Sequence, residues 1–210
     1  MLLSFDHKLL FVAIPKTGSH AVRHALRPLM GDKDWEQCRL FDEKQAPLPS
    51  IAQFGHGHLT AAELRVALGP KMFDGFFSFA VVRDPFDRFV SLCAFMSRKS
   101  GKFEADPRDH MHRVLDRISK QHDAWSRPQS EYVFAEDGEQ IVSHVARYES
   151  LQNEIDAVRA RAAARPVSLE RINTSARRDA AEYYDEELTG KVAAVYADDI
   201  ANFGFCGSSK

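Results

Sequence analysis

Two stretches of the chain gather residue types suited to holding anions. In Phe11-Val12-Ala13-Ile14-Pro15-Lys16-Thr17-Gly18-Ser19-His20, an apolar run ends in a Pro-Lys-Thr-Gly-Ser loop that opens an amphipathic helix. A helix start collects backbone N–H groups without intrahelical partners and the positive end of a dipole. A lysine and small residues in that turn therefore make a seat for a phosphate-like anion. In the second stretch, the apolar run Phe79 to Val82 leads into Arg83-Asp84-Pro85-Phe86-Asp87-Arg88-Phe89-Val90-Ser91, again a strand handing over to a helix. Two such edges point to a ligand with two separate anionic groups. A third stretch, Gly55-His56-Gly57-His58, lies just before another helix start. Histidine titrates near neutrality and can take a proton from a hydroxyl. A zinc site is the weaker use of His56 and His58, because no third ligand stands at metal spacing.

These residues need elements to place them. Lys8 to Ile14 is a short apolar run stopped by Pro15, the pattern of a buried strand. Val22, Ala25, Leu26 and Leu29 then fall at helical spacing, with His20, Arg23, His24 and Arg27 as the opposite, polar stripe. Pro28 ends that helix. Asp32 to Ser50 carries no sustained period and reads as a long loop, with a helical turn near Trp35. Thr60 and Glu63 have the spacing of a capping box, predicting a helix to about Leu68 that Gly69-Pro70 stops.

Phe76 to Val82 reads as a second buried strand. Asp84 is placed to cap the next helix, with Pro85 at its first position and Phe86, Phe89, Val90 and Cys93 inward. On that helix Ser91 shares a face with Asp84 and Arg88. Met111 to Gln121 is expected to be helical, Val142 to Tyr148 a third strand, and Leu151, Ile155 and Val158 one face of a helix. Arg171 to Arg178 reads as a basic loop, and Leu188, Val192, Val195 and Tyr196 mark a last helix. Apolar strands alternating with helices predict an α/β fold: a P-loop-like three-layer sandwich, its central parallel sheet flanked by helices. Ligands of such sheets sit beyond the carboxyl ends of the strands, where Lys16, His56, His58 and Arg83 are expected.

The order Pro15 to Ser19, then Gly57-His58-Leu59-Thr60, Arg83 to Ser91, Arg147-Tyr148-Glu149 and the tail Tyr196 to Phe205 resembles the sulfotransferases that use 3′-phosphoadenosine-5′-phosphosulfate (PAPS). The likeness is greatest to the branch holding carbohydrate sulfotransferases and their bacterial relatives. It implies that Pro15, Lys16, Thr17, Gly18, Ser19 and His20 hold the 5′-phosphosulfate. It also implies that Arg83, Arg88 and Ser91 hold the 3′-phosphate, with Arg177 as a further contact. Sulfuryl transfer needs mostly positioning and charge stabilisation, so Lys16 is expected at the bridging oxygen of the departing 3′,5′-diphosphoadenosine, with no metal. A His-Gly-His turn stands at the corresponding place in some carbohydrate sulfotransferases, which makes His58, ahead of His56, the expected base. The chain departs from the family's loop at His20, where a hydroxyl residue is usual.

The ordinary P-loop pattern, with its glycines before the lysine, is not met, so an ATP–magnesium kinase stands as a rival. A non-catalytic nucleotide-binding module is a second. With 210 residues, 44% hydrophobic and 28% charged, the chain has the composition of one globular domain, residues 1–210. Its net charge of −2 gives no global signal for nucleic acid or an anionic membrane. Three scattered cysteines, Cys38, Cys93 and Cys206, fit a reduced, cytoplasmic protein. No apolar run is long enough for a membrane span. The expected partner is a small-molecule or glycan hydroxyl acceptor.

Overall fold

A computed structural model of the chain describes residues 1–37, 48–120, 123–169 and 179–205. Their contacts define two compact units, Met1–Val82 with Glu131–Ile172, and Arg83–Ser130 with Asn173–Lys210.

The first unit is built on a sheet of five strands among the described residues: β1 (Leu2–Ser4), β2 (Leu9–Val12), β3 (Trp35–Glu36), β4 (Phe77–Val82) and β5 (His144–Arg147), in the order β3-β1-β2-β4-β5. β2, β4 and β5 are parallel, with Val12 opposite Ala80 and Val82 opposite Arg147. The sheet is not wholly parallel, as the strand pattern had suggested. β1 turns back onto β2 as an antiparallel hairpin, and β3 adds antiparallel to β1. Two residues of the expected long loop, Trp35 and Glu36, thus become an edge strand rather than a helical turn. A two-residue strand is too short to leave a periodicity, and only its neighbour β1 defines it.

β2 and the last four residues of β4 are buried throughout, which explains their unbroken apolar sequence. Phe11, Phe79, Val81 and Ala146 pack with Val22, Ala25 and Leu26 of α1 (Ser19–Leu26) and with Ile155 and Val158 from later in the chain. Between β3 and β4 lie α2 (Pro49–Ala52), α3 (Ala61–Leu68) and α4 (Pro70–Phe73). The capping box is formed: Glu63 N–H donates to Thr60 Oγ1 at 3.1 Å and Thr60 N–H to Glu63 Oε2 at 2.7 Å.

The second unit is helical: α5 (Pro85–Ser97), α6 (Lys102–Ala105), α7 (Pro107–Ile118), then, after β5, α10 (Glu186–Val195) and α11 (Ala197–Phe203). The chain returns to the first unit through α8 (Ser130–Val133) and there forms α9 (Leu151–Arg161). Phe86, Phe89, Val90 and Cys93 of α5 pack with Met111 and Leu115 of α7 and Leu188 and Val192 of α10, as their spacing required. Cys38, Arg177 and Cys206 lie outside the described residues.

Candidate active site

Ala13 and Ile14 leave β2 at the carboxyl edge of the parallel strands, and Pro15 to Gly18 carry the chain into α1. Pro15 is buried and Lys16 half-buried. Lys16 has φ 68°, the left-handed region that side chains avoid, so the turn is held by its surroundings. Thr17 is wholly buried and its hydroxyl donates to the Ile14 carbonyl at 3.0 Å. That hydrogen bond occupies the hydroxyl proton and closes the turn.

Gly18 caps α1 with φ 82°, where a Cβ would come within 3.0 Å of the Tyr148 ring and 3.2 Å of Leu151. Glycine is therefore required twice, by conformation and by the close approach of the chain after β5. Ser19 is buried and His20 exposed. Partial desolvation, then the cations Arg23, Lys16 and Arg27, lower the His20 pKa and favour its neutral form. The polar stripe of α1 departs from expectation at Arg23, which is only 3% exposed. Its Nε lies 3.9 Å from Glu36, and the Glu36 carboxylate also accepts from Arg27 at 2.8 to 3.0 Å. β3 thus supplies the charge that draws Arg23 inward.

His58 is buried, and its Nδ1 lies 2.9 Å from the Ala13 carbonyl. The carbonyl can only accept, so Nδ1 carries the proton and Nε2 is the basic nitrogen. Burial lowers the His58 pKa to about 4, with the Ala13 hydrogen bond opposing and the first amino group, Arg23 and His56 adding to the fall. His56 is less buried, and its Nδ1 accepts from the His58 N–H at 3.2 Å. Gly57 has no room for a side chain, since a Cβ there would collide with Gln37.

In the second unit, Asp84 Oδ1 accepts from the N–H groups of Phe86 (2.9 Å) and Asp87 (3.2 Å) and so caps α5. Arg83 stands just before this cap. Its Nε and one terminal nitrogen reach Asp87 Oδ2 at 2.7 and 2.5 Å. Ser91 is buried, and its hydroxyl has no hydrogen-bond partner among the described residues. Arg88 is the more deeply set of the two arginines. It is 2% exposed, donates to the carbonyls of Trp125 (3.3 Å) and Arg127 (2.9 Å), and lies over the Tyr196 ring. Its charge braces the segment 125–127.

These donors suit PAPS. Each group taken by itself, the N–H groups at the start of α1 with a lysine in the turn suit a phosphosulfate, and Arg83 with the Ser91 hydroxyl suits a phosphate. A family profile described as the sulfotransferase family matches residues 1–206. The chain belongs to the sulfotransferase family. It is accordingly an enzyme, a PAPS-dependent transferase of sulfuryl groups. No curated protein matches the chain. It is similar to the crystal structure of a sulfotransferase from Alicyclobacillus acidocaldarius, with 13% identity over 95% of this chain and 96% of that one and a TM-score of 0.40.

Sequence reasoning missed Asp87 and Gln129, the partners of Arg83, and the tautomer lock on His58. Asp87 alone had a local signal, its i+4 spacing from Arg83 on a helix. Among the described residues no three His, Cys, Asp or Glu side chains gather as a metal site. No described helix is long and apolar enough to cross a membrane.

Proposed function

We propose that this sulfotransferase moves the sulfuryl group of PAPS to a hydroxyl of a carbohydrate or another alcohol-bearing metabolite, as a single cytoplasmic domain, by in-line displacement with His58 as base. The hydrogen bond from His58 Nδ1 to Ala13 carries the reading. It anchors the histidine to the very strand end that opens the Lys16 loop, and it leaves Nε2 unprotonated. A profile match that runs across both compact units supports treating the chain as one domain.

Each residue then has a task. Backbone N–H groups of Thr17 to His20, with the Ser19 hydroxyl, hold the 5′-phosphate, and the fixed turn of Pro15 and Gly18 keeps them aimed. Lys16 neutralises charge that gathers on the bridging oxygen. Arg83 and Ser91 take the 3′-phosphate, Arg88 supports them through the segment it braces, and Arg177 is kept as a further contact. PAPS supplies the activated sulfuryl group. As the acceptor oxygen bonds to sulfur and the bond to the bridging oxygen breaks, His58 Nε2 takes the hydroxyl proton, and 3′,5′-diphosphoadenosine leaves. His56 orders the turn through the His58 N–H.

The deciding experiment is calorimetric titration of wild type, Lys16→Ala and Arg83→Ala with 3′,5′-diphosphoadenosine, ADP and ATP–magnesium. Metal-independent binding that needs the 3′-phosphate and weakens in Arg83→Ala is expected. Preference for ATP–magnesium would overturn the residue assignments. Sulfuryl transfer from PAPS to a panel of sugars and simple alcohols, lost in His58→Gln, tests acceptor class and base.

A further inference from the structure

Arg83 occupies the one-residue gap between β4 and the N-cap of α5. Ladder pairing ends at Val82 opposite Arg147, and the first helical bond runs from Arg88 N–H to the Asp84 carbonyl. Its own N–H and C=O therefore have neither ladder nor helix to satisfy them, and backbone groups out of water must find partners. Both find the same one. Arg83 N–H donates to Gln129 Oε1 at 2.9 Å, and Gln129 Nε2 donates to the Arg83 carbonyl at 2.8 Å. One side-chain amide acts as a neighbouring strand would.

Gln129 is itself fixed. It is 0% exposed, and Asp199 of α11, also 0% exposed, accepts from Gln129 N–H at 2.9 Å, Gln129 Nε2 at 3.2 Å and Ser130 N–H at 2.7 Å. With the Nε2 hydrogens facing two acceptors and Oε1 facing an N–H, only one orientation of the amide satisfies every group. The residues just before it are clamped as well. Tyr196 O–H donates to the Ser126 carbonyl at 3.1 Å, and Arg88 holds the carbonyls of Trp125 and Arg127. The tail segment Tyr196 to Asp199 thereby reaches Arg83 through Gln129.

The geometry points to Gln129, held by Asp199, as a positioning residue that fixes Arg83 for recognition of the 3′-phosphate. This rests on the proposed role of Arg83. A bidentate arginine contact depends on the placing of its planar fork. The Asp87 pair orders the guanidinium, and the Gln129 clamp sets the backbone from which it starts. Misplacement by about 1 Å costs up to a hundredfold at such sites.

The test compares binding of 3′,5′-diphosphoadenosine with that of 5′-AMP, which lacks the 3′-phosphate, to full-length wild type, Gln129→Met, Asp199→Asn and Arg83→Met. Gln129→Met keeps the volume and removes the hydrogen bonds. It is expected to lower the preference for the 3′-phosphorylated nucleotide about tenfold while 5′-AMP binding changes less than about twofold. Asp199→Asn keeps the shape but turns one of the two accepting oxygens into an NH2 that can only donate, and it is expected to shift the preference the same way by about threefold. Lower thermal stability with an unchanged preference, or equal weakening of both nucleotides, would overturn the positioning role. An unchanged preference in Arg83→Met would instead remove the role of Arg83, and the clamp's function with it.

Discussion

The Nδ1 of His58 is bonded to the Ala13 carbonyl at 2.9 Å, three residues before Lys16, so one strand end holds both the proposed base and the Lys16 loop. The bond fixes the tautomer. Burial fixes the charge state: with a pKa near 4, the ligand-free enzyme holds His58 neutral at pH 7.

The acid limb of kcat/KM, which reports the free enzyme, is therefore expected well below the ordinary histidine value of 6.5, toward pH 4. The limb of kcat should lie higher, since a bound anion favours imidazolium. Rate profiles for wild type, His58→Gln and His56→Gln check this. His58→Gln should lose about a hundredfold or more in kcat and keep its affinity for 3′,5′-diphosphoadenosine. A limb near 6.5 that disappears only in His56→Gln would move the base to His56.

The same histidine makes stability depend on pH. Its folded pKa is lowered, so between 6.5 and about 4 the unfolded chain binds the extra proton. The full contribution is present above pH 6.5 and is lost as pH falls toward 4, by about 3 kcal/mol at most for a shift of this size. Urea melts at several pH values should show the loss in wild type and a shallower slope in His58→Gln.

Gly18→Ala should damage the loop from two sides, the left-handed φ of 82° and the Tyr148 ring 3.0 Å from the new Cβ. A stability loss of about 1–3 kcal/mol is expected, with weaker binding of 3′,5′-diphosphoadenosine by calorimetry. Adding Tyr148→Ala should recover only the part due to the ring.

Glu36 serves two arginines, one of them buried. Glu36→Gln leaves Arg23 without its charge partner and should cost roughly 3 kcal/mol, whereas Arg23→Met removes the buried charge and should cost less. Chemical denaturation of the two single variants and the double variant would measure the order. A larger loss in Arg23→Met would contradict it.

Arg88→Met should lower stability by about 3 kcal/mol, because Arg88 holds two backbone carbonyls from a site only 2% exposed. Arg88→Lys should not restore it, since a compact ammonium lacks the fork that spans both. Thermal melts of both variants test this, and full recovery in Arg88→Lys would show that charge alone suffices.

What the sequence determined by itself is local. The apolar run before Pro15, the capping box of Thr60 and Glu63, Asp84 before Pro85 and the helical spacing of Phe86, Phe89, Val90 and Cys93 each act within a few residues. Propensity and period reveal them, and with them the two strand-to-helix turns that carry Lys16 and Arg83. What tertiary structure decided lies at long separation. His58 finds Ala13 across 45 residues, Gln129 finds Arg83 across 46, and Asp199 finds Gln129 across 70. Arg23 reads in sequence as part of the polar stripe of α1 and is buried beside Glu36 of edge strand β3. Such pairings follow from strand order and helix packing, which bring distant groups together only when the core forms, and so no local pattern records them.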